Sequence, residues 1–385
     1  MVMTSILLAN SLPPLTDILP NPRTLMGPGP SNVHPRVLGA MAQPTVGHLD
    51  PTFQQLMEEI KQGLRYAFQT RNALTFPVSA PGSAGMEMCF ANLMEAGDKV
   101  IVARNGVFGA RMLENVTRFG GIPVDIAFDW GTAIDPNRIE QALKDHPDAK
   151  ILAFVHAETS TGVLSDAQSL CALAQVHDCL TIVDAVTSLG GVPVKVDDWG
   201  IDAVYSGSQK CLSCPPGLSP VSFSDRAIDR VRARTTPVPS WFLDLTLVMD
   251  YWDGSGGRTY HHTAPVNAMY ALYESLLLLQ AEGLERVWAR HRVQHENLVA
   301  GLEELGLSLP VDSAVRLPQL NLVTIPEGKD DGAVRAALLS EYGLEIGAGL
   351  GTFAGKAWRI GLMGHTARPE NVAICLKALS YALSR

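Results

Sequence analysis

The most constraining feature of the chain is a regular alternation between residue 53 and residue 205. Short apolar runs at 74–79, 99–103, 122–126, 151–156, 180–184 and 201–205 alternate with amphipathic stretches at 53–68, 85–94, 110–118, 136–144 and 166–177. Such runs are typical of parallel strands buried on both faces, and the amphipathic stretches are typical of the helices that cover them. The alternation predicts a mainly parallel, doubly wound α/β domain, which binds ligands at the carboxyl ends of its strands.

The rest of the chain predicts two further regions. Residues 1–30 are rich in proline and lack periodicity, which is typical of an arm lying on another surface. At 235–265 the alternation breaks down into aromatic residues, glycine and proline. Beyond it the pattern predicts helices at 267–281, 284–305, 331–342 and 369–383 and strands at 319–325 and 358–362. We therefore predict an arm at 1–30, a large domain at 31–265 and a small C-terminal α+β domain at 266–385.

Charge and cysteine content exclude several classes of function. The net charge is −9 and no basic run is present, so nucleic acid and anionic membranes are not expected partners. No stretch reaches the ~20 apolar residues of a membrane-spanning helix. Six scattered cysteines in a chain of this size indicate reduced thiols and a cytoplasmic location. Cys211 and Cys214 lack a second pair spaced for zinc, so no metal is expected.

Asp184 and Lys210 each follow a predicted strand. Asp184 ends the run 180–184, and Lys210 ends the small-residue segment SGSQK that follows the run 201–205. Because the carboxyl ends of neighbouring parallel strands meet at one edge, we expect both side chains at the ligand crevice. Burial there would lower the pKa of the Lys210 amine and leave it nucleophilic. Taken singly, Asp184 is equally explained as a helix cap and Lys210 as a solvated loop residue.

A third signal is the loop SAPGSAG at 79–85, between a predicted strand and a predicted helix. Backbone N–H groups and the dipole of a helix start form a site for an anion, although such a loop can also serve only to reverse the chain. A phosphate loop, a strand-end aspartate and a strand-end lysine are together what pyridoxal-phosphate chemistry requires. The lysine forms an imine, the aspartate keeps the pyridine nitrogen protonated and the loop holds the phosphate.

Seven stretches between residues 26 and 364 resemble the class V aminotransferases of the fold-type I pyridoxal-phosphate family, and most closely the alanine–glyoxylate aminotransferase group. The matching stretches are MGPGPS (26–31), FQTRN (68–72), ETSTGVL (158–164), DAVTSLGG (184–191), YSGSQK (205–210), YHHTAP (260–265) and RIGLMG (359–364). The resemblance implies the fold-type I architecture, with a large doubly wound domain and a smaller C-terminal domain. It also implies pyridoxal phosphate as the cofactor.

The resemblance implies a role for five residues around the cofactor ring. Lys210 would be the internal aldimine and the proton shuttle, and Asp184 would pair with the pyridine nitrogen. Val186 and Phe108 would pack against the two ring faces, and Thr159 would lie near the ring hydroxyl. Phe108 stands where some members have Trp, and a smaller ring can still stack.

The phosphate would be held by residues of two subunits. Gly82, Ser83 and Gln209 would bind it from one chain, and Tyr260 and Thr263 from the neighbouring one, so the resemblance implies a homodimer with shared active sites. Pro81, where relatives often have Ser or Thr, supplies neither a hydroxyl nor an N–H.

Arg359 and Gly27 are the residues that the resemblance assigns to the substrate. Arg359 would bind the substrate carboxylate with its bidentate guanidinium, and Gly27 would line the substrate end. The implied reaction is a ping-pong transfer of an amino group from a small amino acid, foremost alanine, to glyoxylate, giving glycine and a 2-oxo acid. Alternatives are serine or ureidoglycine as donor, or a dimeric protein that binds pyridoxal phosphate without turnover.

Overall fold

The described residues fold around a seven-stranded sheet and a three-stranded sheet, and two further pairs of short strands form two-stranded sheets. The computed structural model describes residues 13–19, 21–252 and 258–385. In chain order the strands are β1 (Thr24–Leu25), β2 (Leu74–Val78), β3 (Lys99–Arg104), β4 (Ile122–Ala127), β5 (Ile151–Val155), β6 (Ala157–Glu158), β7 (Val163–Leu164), β8 (Leu180–Asp184), β9 (Ala203–Tyr205), β10 (Ser219–Phe223), β11 (Leu320–Thr324), β12 (Leu344–Glu345), β13 (Gly347–Ala348) and β14 (Ala357–Gly361). The two-stranded sheets are formed by β1 with β12 and by β6 with β7.

The α-helices alternate with the strands along the chain. In chain order they are α1 (Leu15–Ile18), α2 (Pro35–Met41), α3 (Pro51–Phe68), α4 (Gly82–Leu93), α5 (Val107–Arg118), α6 (Pro136–Asp145), α7 (Ala167–Val176), α8 (Val196–Trp199), α9 (Asp225–Arg232), α10 (Leu245–Trp252), α11 (Val266–Glu282), α12 (Leu284–Glu304), α13 (Asp331–Tyr342) and α14 (Pro369–Leu383). No helix of the described ranges is long and apolar enough to cross a membrane.

The large sheet confirms the predicted fold class. Its seven strands lie in the order β2-β10-β9-β8-β5-β3-β4, and the pairs from β9 to β4 are parallel. Strands β5 and β8 in its centre are buried along their whole length, as continuous apolar runs with helices on both faces should be. Strand β10 is antiparallel to both of its neighbours and was not predicted, because its sequence SPVSF is short and contains Ser and Pro.

Most predicted elements are present, with ends shifted by a few residues. The limits of β8, α13 and α14 agree with the prediction. Helix α5 begins at Val107, three residues before the predicted start at 110, because the buried Glu158 carboxylate accepts the Phe108 N–H and replaces a local cap. Helix α10 lies in the stretch 235–265, where no helix was predicted, and residues 253–257 of that stretch lie outside the described residues.

The C-terminal part of the chain forms a second, smaller core. Strands β11, β14 and β13 make a three-stranded sheet, and their apolar side chains pack with those of α13 and α14. Strand β1 of the predicted arm pairs in parallel with β12, which joins the N-terminal segment to this core. Residues 1–12 and 20 of the arm lie outside the described residues. The domain limits at 30 and 265 stay a prediction.

Candidate active site

One cavity lies at the carboxyl ends of β5, β8 and β9, as a parallel sheet of this kind predicts. The space within it, including its open mouth, is about 600 Å3. Eight of the twelve predicted site residues line it: Gly82, Ser83, Phe108, Thr159, Asp184, Val186, Gln209 and Lys210. Residues that are up to 128 positions apart in sequence therefore meet in one place, because the ends of β6, β8 and β9 and the starts of α4 and α5 converge there.

Asp184 is the last residue of β8 and is buried. Its Oδ1 accepts a hydrogen bond from the Val186 N–H at 2.8 Å, and its Oδ2 accepts one from the Tyr205 hydroxyl at 2.8 Å. Burial raises the pKa of the carboxyl to about 7, and these two hydrogen bonds act in the opposite direction. An ionised carboxylate has about four acceptor positions, so Asp184 keeps capacity for a cationic N–H in the cavity.

Lys210 follows β9 in a tight loop and its amine points into the cavity. Burial lowers the pKa of the amine to about 8. The Nζ contacts the Pro28 carbonyl oxygen, so the N-terminal segment crosses directly over the lysine. The Ser31 hydroxyl donates to the Lys210 carbonyl at 2.7 Å, and the Ser31 N–H donates to the Gln209 carbonyl at 2.9 Å. These bonds hold the lysine loop in place.

The start of helix α4 forms one end of the cavity. Its first residues are Gly82 and Ser83, and Pro81 before them provides no side-chain cap, so the first backbone N–H groups keep their donor capacity. A Cβ on Gly82 would lie 3.3 Å from both the Ser206 carbonyl oxygen and the Val186 side chain, so glycine allows the backbone to approach closely here. This end is suited to an anion.

Four predicted site residues lie outside the lining of the cavity. Arg359, on β14, is buried, and its guanidinium donates to the Ala348 carbonyl at 2.7 Å and to the Thr159 carbonyl at 3.3 Å. It therefore borders the cavity through Thr159, which does line it. Gly27 directly precedes Pro28 in the chain. Its backbone lies against that of Gly361, which belongs to the same strand β14 as Arg359.

Tyr260 and Thr263 are not brought to the cavity of their own chain. Tyr260 is 58% exposed, and its hydroxyl lies 3.2 Å from the Thr263 hydroxyl on the surface. Their predicted action on the cofactor of a neighbouring subunit stays a prediction.

The structure adds two buried residues to which the sequence reasoning gave no role. Tyr205 lies opposite Asp184 in the register of β8 and β9, which explains why its hydroxyl reaches the carboxylate. Glu158 accepts hydrogen bonds from the Phe108 N–H at 3.1 Å and the Ser160 hydroxyl at 2.6 Å, and burial raises its pKa. It thereby anchors the wall that carries Phe108. Both residues occur in the motifs quoted above, but their partners depend on pairing between distant segments.

The site fits the cofactor that the sequence resemblance implies. The buried Oε1 of Gln209 has no hydrogen-bond partner among the described residues, next to the uncapped start of α4. Since the oxygen and nitrogen of an amide group exchange by a simple flip, this side chain can present an N–H to a phosphate. A nucleophilic amine, a buried carboxylate and an anion site thus occupy one cavity, which is the donor set that pyridoxal phosphate needs.

Comparison with known proteins places these features in one family. A family model described as aminotransferase class-V matches residues 25–368. Alanine–glyoxylate aminotransferase of Oryctolagus cuniculus is 44% identical over 363 residues, covering 94% of this chain and 92% of the relative. The (S)-ureidoglycine–glyoxylate transaminase of Bacillus subtilis is 39% identical over 381 residues, covering 94% and 91%.

A solved structure is similar over nearly the whole chain. The alanine–glyoxylate aminotransferase from Nostoc sp. has a TM-score of 0.94 at 47% identity and covers 97% of this chain and 98% of its own. Since the similarity in sequence and structure extends almost from end to end, the chain belongs to the class V aminotransferases, fold-type I enzymes that depend on pyridoxal phosphate.

Proposed function

We propose that this enzyme transfers the amino group of alanine to glyoxylate, giving glycine and pyruvate by a ping-pong reaction. The observation that carries the proposal is the meeting of Lys210 and Asp184 in one cavity bordered by Arg359. Relatives named alanine–glyoxylate aminotransferase support the choice of donor and acceptor. Alanine and glyoxylate are both small, which suits a cavity that is shared with a cofactor.

We propose these roles for the residues of the cavity. Pyridoxal phosphate, when bound, supplies a ring that accepts electrons from the α-carbon of the substrate. Ionised Asp184 would hold a proton on the ring nitrogen, and Phe108 and Val186 would limit the tilt of the ring. Thr159 would lie near the ring hydroxyl. Each of these side chains lies at or directly beside the end of a strand or helix, and this fixes its place around the ring.

Lys210 would accept the α-proton of the substrate and return it. With a pKa of about 8, roughly a tenth of free Lys210 amines are unprotonated at pH 7, against fewer than one in a thousand at the ordinary value of 10.5. Burial therefore converts an ordinary lysine into a usable base at neutral pH. Arg359 would hold the substrate carboxylate, and Gly27 would leave room beside it.

The phosphate would be bound by Gly82, Ser83 and Gln209 of one chain and by Tyr260 and Thr263 of a partner in a homodimer. A mixing experiment tests the shared site. Lys210→Ala and Tyr260→Ala proteins are each expected to be nearly inactive. A hybrid dimer contains one site with both residues intact, so unfolding and refolding the two together should restore activity. Absence of any recovery in confirmed hybrids would show that the sites are not shared.

We further propose that the enzyme is cytoplasmic. All six cysteines are free and buried, which suits a reducing compartment. Localisation of the tagged full chain by cell fractionation tests this, and recovery in a secreted or organellar fraction would contradict it.

Ureidoglycine is the second candidate donor, because a relative of 39% identity is named for it. The experiment that separates the donors mixes the loaded enzyme with alanine, serine or ureidoglycine and follows the loss of the cofactor absorbance. Alanine is expected to react fastest, and subsequent glyoxylate should restore the absorbance. A faster reaction with ureidoglycine or serine would reassign the donor. No reaction with any donor would indicate a protein that binds the cofactor without turnover.

Lys210→Ala and Lys195→Ala form a matched pair for the same assay. Lys195 is partly exposed and pairs with Asp198 on the surface. We expect Lys210→Ala to lose the near-visible absorbance of the attached cofactor and its reaction with alanine, and Lys195→Ala to retain both. An unchanged absorbance in Lys210→Ala would refute the assignment of Lys210.

A further inference from the structure

Arg111 is a cationic residue of the cavity to which the proposed function gives no role. Among the residues that line the cavity, only Arg111 and Lys210 carry a positive charge. The Arg111 guanidinium lies over the ring of Phe108, 4.9 Å from its centroid, and no described carboxylate pairs with it. Its side chain is exposed, so it can turn without leaving a fixed partner. A positive charge at this position would attract a negative group of the ligand.

The helix face that carries Arg111 points towards the start of α4. Phe108, Arg111 and Asn115 are spaced three and four residues apart, so they share one face of α5. The Asn115 amide nitrogen contacts the Met86 sulfur at 3.4 Å. Met86 lies in the second turn of α4, and Ser83 lies in the first. Arg111 therefore lines the same cavity as Gly82 and Ser83 at the start of α4, on a helix that packs against α4, whereas Arg359 borders the cavity through Thr159.

The phosphate end holds only neutral donors apart from Arg111. These are the first N–H groups of α4, the Ser83 hydroxyl and the Gln209 amide, and Pro81 contributes none. Lys210 is committed to the reactive carbon of the cofactor. A phosphate would add about two negative charges to a cavity that already contains Asp184, and partly buried charge is costly unless it is paired. A guanidinium has the geometry to pair with phosphate oxygens.

We propose that Arg111 binds the phosphate group of pyridoxal phosphate and is the cation that balances its charge within this chain. The proposal rests on the phosphate site of the proposed function and is independent of the amino donor. Arg111 also covers the outer face of Phe108, so the same side chain would bind the phosphate and support the aromatic ring that packs on the cofactor.

The test compares two forms of the cofactor that differ only in the phosphate. The full chain is freed of cofactor and its dissociation constants for pyridoxal phosphate and for pyridoxal are measured by equilibrium dialysis. Arg111→Gln should weaken binding of pyridoxal phosphate about tenfold, which corresponds to about 1.4 kcal/mol, and leave the binding of pyridoxal within about twofold. The matched control is Arg118→Gln on the same helix, since Arg118 is exposed and pairs with Glu114. The control should leave both constants unchanged.

Three outcomes would overturn the proposal. In Arg111→Gln, unchanged binding of both forms would show that the phosphate does not use this residue, and equal weakening of both would show that Arg111 acts by supporting Phe108. An unchanged cofactor constant with a raised KM for glyoxylate would assign Arg111 to the substrate carboxylate. The underlying phosphate site fails separately: the wild-type chain would then not prefer pyridoxal phosphate over pyridoxal.

Discussion

Removal of the Tyr205 hydroxyl is the most direct test of what sets the pKa of the Asp184 carboxyl. Tyr205 and Asp184 are both buried, and the hydroxyl supplies one of the two hydrogen bonds that the carboxylate accepts. Tyr205→Phe deletes a single oxygen and leaves the ring packing in place. A hydrogen bond to a charged group contributes about 1.5–3 kcal/mol, which is about 1 to 2 units of pKa. The pKa of Asp184, already raised to about 7 by burial, should rise by that amount.

A more basic Asp184 binds the shared proton itself and holds less of it on the ring nitrogen. We therefore expect the rate constant of the half-reaction with alanine to fall about tenfold to a hundredfold near pH 7, in proportion to the shift in proton affinity. Stopped-flow mixing of the loaded enzyme with alanine measures this rate constant from the loss of the cofactor absorbance. The same measurement at higher pH should not restore the rate, because a higher pH removes the shared proton from the pair and does not return it to the ring nitrogen.

Tyr251→Phe is the matched control for this substitution. Tyr251 is as deeply buried as Tyr205, lies on α10 and, among the described residues, makes no hydrogen bond to Asp184. It should react with alanine at the wild-type rate. If Tyr205→Phe, correctly folded by circular dichroism, also reacts within about twofold of wild type at every pH, the hydroxyl does not tune Asp184 and the reasoning fails.

Three further predictions concern Gly29, Asp184 and Arg359. Gly29 has φ +108°, and a Cβ there would lie 2.6 Å from the Lys210 Nζ. Gly29→Ala should therefore lower the free energy of unfolding, measured by thermal unfolding, by about 1–3 kcal/mol and weaken attachment of the cofactor, measured by absorbance. Wild-type values for both would contradict this. Because burial raises the pKa of Asp184 from 3.8 to about 7, the cofactor-free folded chain keeps a proton that the unfolded chain loses in this window. Its unfolding free energy relative to Asp184→Asn should therefore fall, by up to about 4 kcal/mol, as pH rises from 4 to 7 in denaturant titrations, and a flat difference would disprove the shift. Arg359→Gln should raise the KM for alanine and glyoxylate at least tenfold through loss of the carboxylate contact, while cofactor binding measured by dialysis stays unchanged.

The sequence predicted the parallel strands and their covering helices more completely than it predicted β10 and α10. Runs such as 180–184 are long, apolar and flanked by amphipathic helices, so their periodicity alone identifies buried parallel strands. Strand β10 was not predicted because a segment with Ser and Pro has no clear alternation of apolar and polar residues. Its antiparallel direction depends on its partners β2 and β9. Helix α10 was not predicted because it is short and the aromatic residues, glycine and proline around it obscure the helical periodicity.

The amino-acid sequence by itself determined that Asp184 ends a buried strand, that Lys210 follows the next one and that a helix follows the loop at 79–85, because strand ends and helices are encoded in local patterns. Only the tertiary structure decided that the Tyr205 hydroxyl reaches Asp184 and that the Pro28 carbonyl lies over Lys210. These contacts depend on strand register and on the packing of segments far apart in the chain, which local patterns do not encode.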